Sequence, residues 1–204
     1  MFKRTLTLFL VIAAPSFLGC QKTATDISKP AEFALISQDK DLATGKIQDD
    51  LTQAKEAAKI WRNNAEFFAL VIKIPPELTE EGLEKTFVFG SNDEPNNWWT
   101  SSISGENRLR AIVPKEDFLS GNLKPIDEKY WKTAYTEVLK TAEDAGGRDF
   151  RAQNPSTRLN LVLVQTEPNG WLWWQIEYLG GQNSLKILVS AFDGKIYNEN
   201  GEPQ

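Results

Sequence analysis

The order of helical and strand patterns constrains the fold of this chain more than any other feature. From Ile47 to Ala65, apolar residues recur every three or four positions, which predicts an amphipathic helix. Four runs rich in β-branched and aromatic residues follow and are typical of strands, at 67–74, 86–89, 98–103 and 108–113. Turn-forming residues separate these runs, so the first half predicts one helix followed by strands that pair antiparallel.

The second half repeats this order. A helical pattern covers residues 131–145, with Asp127 as a candidate N-cap and Gly146 and Gly147 as a candidate stop. Three strand patterns come next, at 158–164, 171–178 and 185–192, and Asp193 with Gly194 predicts a hairpin turn into residues 195–197. Together the two halves predict an α+β fold, with helices packed on an antiparallel β-meander in two similar tandem units. Whether the two units arose by duplication stays open.

Composition excludes several classes of site. The 204 residues include no histidine, and the one cysteine is Cys20, so a Ser-His-Asp triad, a His-liganded zinc site and a disulfide framework are excluded. Without residues 1–19, 21 basic residues stand against 28 acidic ones, a net charge of −7. That negative charge disfavours binding to nucleic acid. We expect no cofactor, no metal and a body stabilised by its apolar core.

The N-terminal segment has the pattern of a signal peptide. Lys3 and Arg4 form a short positive region, and the apolar stretch from Leu6 to Ala14 ends at Pro15. A stretch of this length is too short to span a bilayer, which needs about 20 apolar residues. Residues 1–19 are therefore predicted to be a secretory signal.

The end of that segment, residues 17–20, reads Phe-Leu-Gly-Cys and resembles the lipobox of bacterial lipoproteins. The resemblance implies cleavage before Cys20 and acylation of this residue, which anchors the body to a membrane. Phe17 departs from the family, which prefers leucine there. Gln21 is not an aspartate, so the resemblance points to the outer membrane with the body facing the periplasm. A plain secretory signal with an incidental cysteine and an uncleaved anchor are the alternatives.

The mature chain divides into three predicted parts. Residues 20–46 are a polar tether, in which 33–36 is an apolar patch that can dock on the body. Residues 47–125 form the first α+β unit and residues 126–204 the second.

The second unit resembles the PepSY-like modules of secreted bacterial proteins. An aromatic-rich strand at 171–178 precedes a strand that ends near Asp193 and Gly194. The resemblance implies a non-catalytic envelope module, and some relatives inhibit proteases or attach to them. The first unit fits less well, since it ends in residues 114–117 without an Asp-Gly pair. No functional residue is carried over.

Two pairs of tryptophans are candidate partner-binding residues. Alternation along 171–178 places Leu172, Trp174, Ile176 and Tyr178 on a core face and Trp171 and Trp173 on the opposite face. Trp98 and Trp99 are adjacent on another strand, so at most one of them faces the core. Because tryptophan is enriched at interface hot spots, Trp98, Trp99, Trp171 and Trp173 predict a contact surface, whose competing interpretation is coverage by other elements of the chain.

These features predict a membrane-anchored, non-enzymatic envelope lipoprotein that binds a protein or peptide. A carrier of a small apolar ligand is the alternative, and it requires an apolar pocket of a few hundred Å³ lined by the strand aromatics. The third candidate is a carboxylate-based hydrolase, which needs two acids on facing elements; the sequence isolates no such pair.

Overall fold

The computed structural model describes residues 35, 38–76, 79–80, 82–119, 121–166, 170–198 and 201–204. The predicted signal peptide, Cys20 and residues 21–34 of the predicted tether lie outside the described residues.

The described residues form three α-helices and nine strands. The helices are α1 (Lys40–Trp61), α2 (Tyr135–Ala142) and α3 (Arg148–Gln153). The strands are β1 (Glu66–Ile74), β2 (Glu84–Gly90), β3 (Asn97–Ser104), β4 (Asn107–Pro114), β5 (Leu123–Lys124), β6 (Arg158–Thr166), β7 (Trp171–Gly180), β8 (Asn183–Ser190) and β9 (Ile196–Tyr197). The predicted α+β class is confirmed, and so are the strands of both meanders.

All nine strands belong to one antiparallel sheet. Its spatial order is β4-β3-β2-β1-β6-β7-β8-β9, and β5 pairs with the last two residues of β6. The halves of the chain therefore meet at the central pair β1–β6, where Leu70 lies opposite Leu163. Each half contributes a helical segment followed by a four-stranded meander, and both share one continuous sheet.

The main core lies between the helices and one face of this sheet. Along α1, Ile47, Leu51, Ala54 and Ala58 are buried at the predicted helical spacing. The alternation predicted for β7 is confirmed, because Leu172, Trp174, Ile176 and Tyr178 are all buried in the same core. Each large apolar side chain buried there stabilises the fold by about 1.5–3 kcal/mol relative to its exposure.

Helix α1 begins earlier than its apolar pattern predicts. It starts at Lys40, inside the predicted tether, with Asp41 in the first turn and Lys59 in the last, which suits the helix dipole. Leu35 is also buried in the main core, so this residue of the predicted docking patch does pack on the body. Gln38 bonds the Tyr135 hydroxyl at 3.1 Å and so joins this segment to α2.

The second helical segment starts later than predicted. Asp127 caps only a short 3-10 turn (Glu128–Tyr130), while α2 starts after Ala134, whose N–H donates to the Glu137 carboxylate at 3.0 Å. The predicted stop at Gly146 and Gly147 is confirmed, because the backbone leaves helical angles at Ala145 and at Gly146, which adopts a φ of +112°. The chain bends at this point and a separate helix, α3, follows.

A buried ion pair spans this bend. The Arg151 guanidinium on α3 bonds both carboxylate oxygens of Glu143, and the Tyr178 hydroxyl donates to Glu143 Oε1 at 3.0 Å. Gly147 passes so close to the Tyr178 ring that an added Cβ would lie 2.2 Å from its hydroxyl oxygen. The missing side chain at Gly147 is therefore what allows the bent helix to pack on β7.

Two glycine-to-alanine substitutions should change stability in opposite directions. Gly45→Ala in α1 is expected to stabilise the protein by about 0.5–1 kcal/mol, because its Cβ meets nothing within 4 Å. Gly147→Ala also has helical backbone angles, yet we expect it to destabilise by about 1–3 kcal/mol through the clash with Tyr178. Urea unfolding of both variants measures the difference, and equal stabilisation by both would contradict this packing.

The opposite face of the sheet carries a smaller apolar cluster. Its buried members are Ala69, Val88, Trp98 and Val164, and Phe118 and Leu119 of the β4–β5 connection pack over them. In the part of the chain that the structure describes, none of the helices is long and apolar enough to cross a bilayer.

Candidate functional site

The sheet carries an aromatic cleft at the start of β7 and the end of β8. Its volume is about 550 Å³. Among the described residues of the lining, five are aromatic, namely Tyr130, Trp171, Trp173, Phe192 and Tyr197. The other described lining residues are Gln165, Gly170, Leu172, Ser190 and Asp193. We call this site the aromatic cleft.

Three rings at the cleft pack against one another on the sheet face opposite the helices. Trp171 and Trp173 meet edge to face with centroids 5.4 Å apart, and Trp173 meets Tyr197 in the same way at 5.1 Å. Tyr197 reaches this position because β9 pairs with β8 next to β7. Each such ring pair contributes about 0.5–1.5 kcal/mol beyond the burial of its surface area. These contacts therefore stabilise the arrangement of the three rings.

The exposed aromatic side chains concentrate at this one site. Among the described residues, the large aromatic side chains that are exposed are Trp171 (43%), Phe192 (59%) and Tyr130 (42%), and all three line the cleft. The sequence pattern identified Trp171 and Trp173 but missed Phe192, Tyr130 and Tyr197. Tyr197 follows the predicted hairpin turn. The predicted pairing of β9 with β8 was therefore the sequence signal that could have identified Tyr197.

Backbone hydrogen bonds join the segments that form the cleft. The carbonyl of Ala191 accepts bonds from the N–H groups of Lys132 and Thr133 at 2.8 and 3.0 Å, and the Thr133 hydroxyl donates to it at 2.8 Å. The Ala191 N–H in turn donates to the carbonyl of Leu172. The loop that carries Tyr130 is thus tied to the turn that carries Phe192, and both are tied to β7. A site held this way is formed before a ligand arrives.

The polar side chains in the cleft wall hold the wall together. Gln165 accepts the Asp127 N–H through Oε1 and donates through Nε2 to the Gly170 carbonyl, both at 2.9 Å. The Ser190 hydroxyl oxygen accepts the N–H groups of Phe192 and Asp193 at 3.2 and 3.3 Å. The side chains of Gln165 and Ser190 thus form their hydrogen bonds within the protein. The aromatic rings therefore form most of the contact surface.

Asp193 is the charged residue among the described residues of the lining. Burial opposes its ionisation, but hydrogen bonds from Ser190, the Lys195 N–H and the Tyr197 hydroxyl outweigh burial and hold the pKa of this carboxyl below its usual value. The Tyr197 hydroxyl lies 3.3 Å from Oδ2 and the Lys195 N–H 3.3 Å from Oδ1. Asp193 is therefore ionised at neutral pH, and Lys195 Nζ, 3.9 Å from Oδ2, offsets part of its charge.

The structure places Trp98 and Trp99 inside the protein. Trp99 is 7% exposed in the main core, where it meets Phe89 edge to face at 5.6 Å. Trp98 is 3% exposed on the opposite face, where its indole N–H donates to the Leu119 carbonyl and Lys115 Nζ lies 4.2 Å from its ring. Neither side chain offers a free contact surface, because the β4–β5 connection covers the one that faces away from the helices.

The described residues bring together no acidic group suited to a metal. In the ranges that the structure describes, no three cysteine, aspartate or glutamate side chains converge on a common point. The described lining of the cleft contains a single carboxylate, that of Asp193. A pair of acids flanking a substrate, which glycoside hydrolysis requires, is not formed by these lining residues.

Comparisons with known proteins give one structural likeness. No family model matches the chain, and no curated protein matches it. Among solved structures, it is similar to a protein of Clostridium difficile 630 that is provisionally described as a lipoprotein. The two share 14% sequence identity over 72% of this chain and 90% of that chain, with a TM-score of 0.44.

Proposed function

We propose that this protein is a membrane-anchored, non-enzymatic lipoprotein of the cell envelope whose aromatic cleft binds another protein or a peptide. The observation that carries the proposal is the convergence of Tyr130, Trp171 and Phe192, all exposed, on one preformed cleft. Tyrosine and tryptophan dominate binding hot spots because they bury a large area with little loss of side-chain freedom.

In the proposed function, an acyl group on Cys20 anchors the protein to the membrane. Two or three acyl chains on one residue hold a protein stably on a membrane. Fourteen residues separate Cys20 from the docked Leu35, and a chain of that length reaches at most about 50 Å. The body would thus stay near the membrane surface, which we propose to be the periplasmic face of the outer membrane.

Photo-crosslinking in the envelope tests the proposed cleft. A photoreactive amino acid replaces Trp171 in one variant and Ile60 in a matched control, because Ile60 is 86% exposed on α1 and does not line the cleft. We expect discrete protein or peptide adducts from position 171 and none of the same mass from position 60. Identical adduct patterns, or none from position 171, would overturn the proposal.

A small-ligand carrier is the second candidate, and the size of the cleft supports it. A volume of about 550 Å³ falls within the range of small-molecule sites. The large aromatic residues Trp174, Tyr178 and Phe87 fill the core beneath the helices, so the interior between helices and sheet is not the proposed site of a carrier. Native mass spectrometry of the purified protein distinguishes the two, since a carrier is expected to retain a small molecule that Trp171→Ala loses.

A further inference from the structure

We propose that the outer edge of β4 pairs with an extended peptide segment in which acidic and apolar residues alternate. The segment would add a further strand to the sheet, so this surface is separate from the aromatic cleft and goes beyond the proposed function. Strand addition of this kind takes its affinity from main-chain hydrogen bonds and its specificity from alternate side chains. Both depend on which groups of β4 face outward.

Strand β4 is the terminal strand of the sheet. In the part of the chain that the structure describes, it pairs with β3 on one side and with no strand on the other. Two of the large apolar side chains that the structure leaves exposed lie on this strand, Leu109 at 69% and Ile112 at 56%. A long edge strand that exposes apolar side chains is a template for pairing with another strand.

The hydrogen bonds on the inner side of β4 show how its backbone is oriented. The Lys115 N–H donates to the Asn96 carbonyl at 2.9 Å, one step beyond the last pair of the β3–β4 register. The Thr100 hydroxyl donates to the Ala111 carbonyl at 3.3 Å, so this carbonyl also faces β3. Because bonded and non-bonded residues alternate along an antiparallel pair, the odd-numbered residues of β4 direct their backbone groups to β3.

The even-numbered residues of β4 therefore direct their N–H and carbonyl groups away from the sheet. Arg108, Arg110 and Ile112 offer both groups, whereas Pro114 has no N–H and ends the run of donors. The side chains of these residues lie on the helix side of the sheet, since Arg108 bonds Asp50 of α1 at 3.2 Å. The residues that present the backbone thus include two arginines.

The charge of the helix side favours an acidic strand. Arg108 and Arg110 are both exposed, and the nearby Asp50 also pairs with Lys85, so these four side chains sum to a positive charge. An acidic residue opposite either arginine would form a favourable cross-strand pair.

The other side of the edge favours apolar residues. Leu109, Ala111 and Val113 alternate with the arginines, and Val113 packs on the cluster that contains Trp98. A strand that pairs with β4 would therefore place acidic residues on the helix side and apolar residues on the opposite side. Strict alternation of the two types satisfies both.

Like charges disfavour a second copy of this chain as the occupant. The antiparallel register that uses all three outward residues on both strands would set Arg110 opposite Arg110 of the second copy. Like charges directly opposite each other are destabilising in a sheet. The net charge of −7 on each chain after residue 19 adds a general repulsion.

Fluorescence anisotropy with the full chain in detergent tests this inference. Two labelled heptapeptides serve as probes, one that alternates glutamate with valine and one that alternates lysine with valine. We expect the glutamate peptide to bind at least about tenfold more tightly, because its carboxylates meet Arg108 and Arg110 where the lysine peptide is repelled.

Methylation of the peptide nitrogens tests the register. A residue opposite Arg108 or Arg110 exchanges hydrogen bonds with it, so the glutamate N–H groups would face β4 and the valine N–H groups would face solvent. Methylation of the glutamate nitrogens is expected to abolish binding, whereas methylation of the valine nitrogens should preserve it. A peptide held by charge alone would bind equally in both forms, which would overturn the inference.

Variants locate the binding to the edge. Arg110→Glu is expected to invert the preference between the two peptides, and the matched control Arg148→Glu, on an exposed residue of α3, to leave it unchanged. Ile112→Pro removes an outward N–H without breaking a bond to β3 and should weaken the glutamate peptide by about tenfold. Near-ultraviolet circular dichroism shows that each variant is folded, and Arg110→Glu decides if Ile112→Pro is not.

The remaining outcomes overturn the inference. Failure of both peptides to bind would do so, and so would a preference that survives Arg110→Glu. A dimer of the wild-type chain in analytical ultracentrifugation that Ile112→Pro dissociates would assign the edge to a second copy instead.

The aromatic cleft is tested separately from this edge. Trp171→Ala is expected to leave binding of the glutamate peptide unchanged, and loss of binding in that variant would place the peptide in the cleft and overturn the inference. Crosslinking at position 171 without any binding of the peptides would leave the proposed function intact and remove this inference alone.

Discussion

Replacing Glu143 with alanine is expected to lower the free energy of unfolding by about 3–5 kcal/mol, the range for breaking a buried ion pair. The variant leaves the Arg151 guanidinium, 7% exposed at its side chain, without this carboxylate. It also removes the acceptor of the Tyr178 hydroxyl, which donates to Glu143 at 3.0 Å. Burial raises the pKa of Tyr178 and the adjacent carboxylate raises it further, so this hydroxyl stays a donor at neutral pH.

Two comparisons isolate the buried pair as the cause. Asp144→Ala removes the neighbouring acid, which pairs with Lys140 at 2.8 Å on the exposed side of the same turn, and should leave stability nearly unchanged. The double variant Glu143→Leu with Arg151→Met removes both charges together and should recover much of the loss. Urea unfolding followed by tryptophan fluorescence measures all three. A loss for Glu143→Ala as small as that for Asp144→Ala would contradict the account of the bent helix.

Replacing Cys20 with serine is expected to release the protein from the membrane. Serine has no thiol to carry the thioether-linked lipid, and the described residues contain no helix that could span a bilayer in its place. Wild-type protein should incorporate labelled palmitate and sediment with membranes, while Cys20→Ser should do neither. Intact-mass measurement adds a second readout, since cleavage before Cys20 removes residues 1–19.

The alternatives for the N-terminal segment give different results. A plain secretory signal predicts an unlabelled, soluble wild-type protein. An uncleaved anchor predicts that the wild-type protein keeps its first 19 residues and that Cys20→Ser still sediments with membranes. Only the lipoprotein interpretation predicts that label, cleavage and sedimentation all depend on Cys20.

The local patterns of the sequence predict most of the fold. Alternation along β7 separates Trp174 from Trp173 because successive strand residues point to opposite faces, and the structure has both where the pattern predicts. The apolar period of α1 identifies its buried face through Leu51 and Ala58. These features depend on residues close in sequence, so periodicity is sufficient to find them.

Local sequence patterns do not predict features that depend on contacts between distant segments. Gly146 ends a helical segment as its residue type predicts, but no nearby residue indicates that Glu143 and Arg151 pair across the bend or that Tyr178 occupies the space beside Gly147. Trp98 sits next to loop-forming residues and looks exposed, but Leu119, 21 positions away, covers it. No local signal reports either contact.

The residues of the candidate site likewise divide into those that local patterns predict and those that they miss. Trp171 and Trp173 follow from strand alternation, but the cleft exists because Lys132 and Thr133 bond to the carbonyl of Ala191, nearly 60 positions along the chain. That contact brings Tyr130 beside Phe192. Sequence reasoning therefore finds the tryptophans of one strand and misses the enclosing aromatic residues of two loops.

The measurement that tests the central claim most directly is the ratio of crosslinked adducts formed in the intact envelope from position 171 to those formed from position 60. Both positions are solvent-exposed, so a non-specific surface reacts equally at both. A partner-binding cleft predicts a discrete adduct at position 171 that Phe192→Ala reduces and that position 60 does not form. Equal, diffuse adducts at the two positions, unaffected by Phe192→Ala, would contradict it.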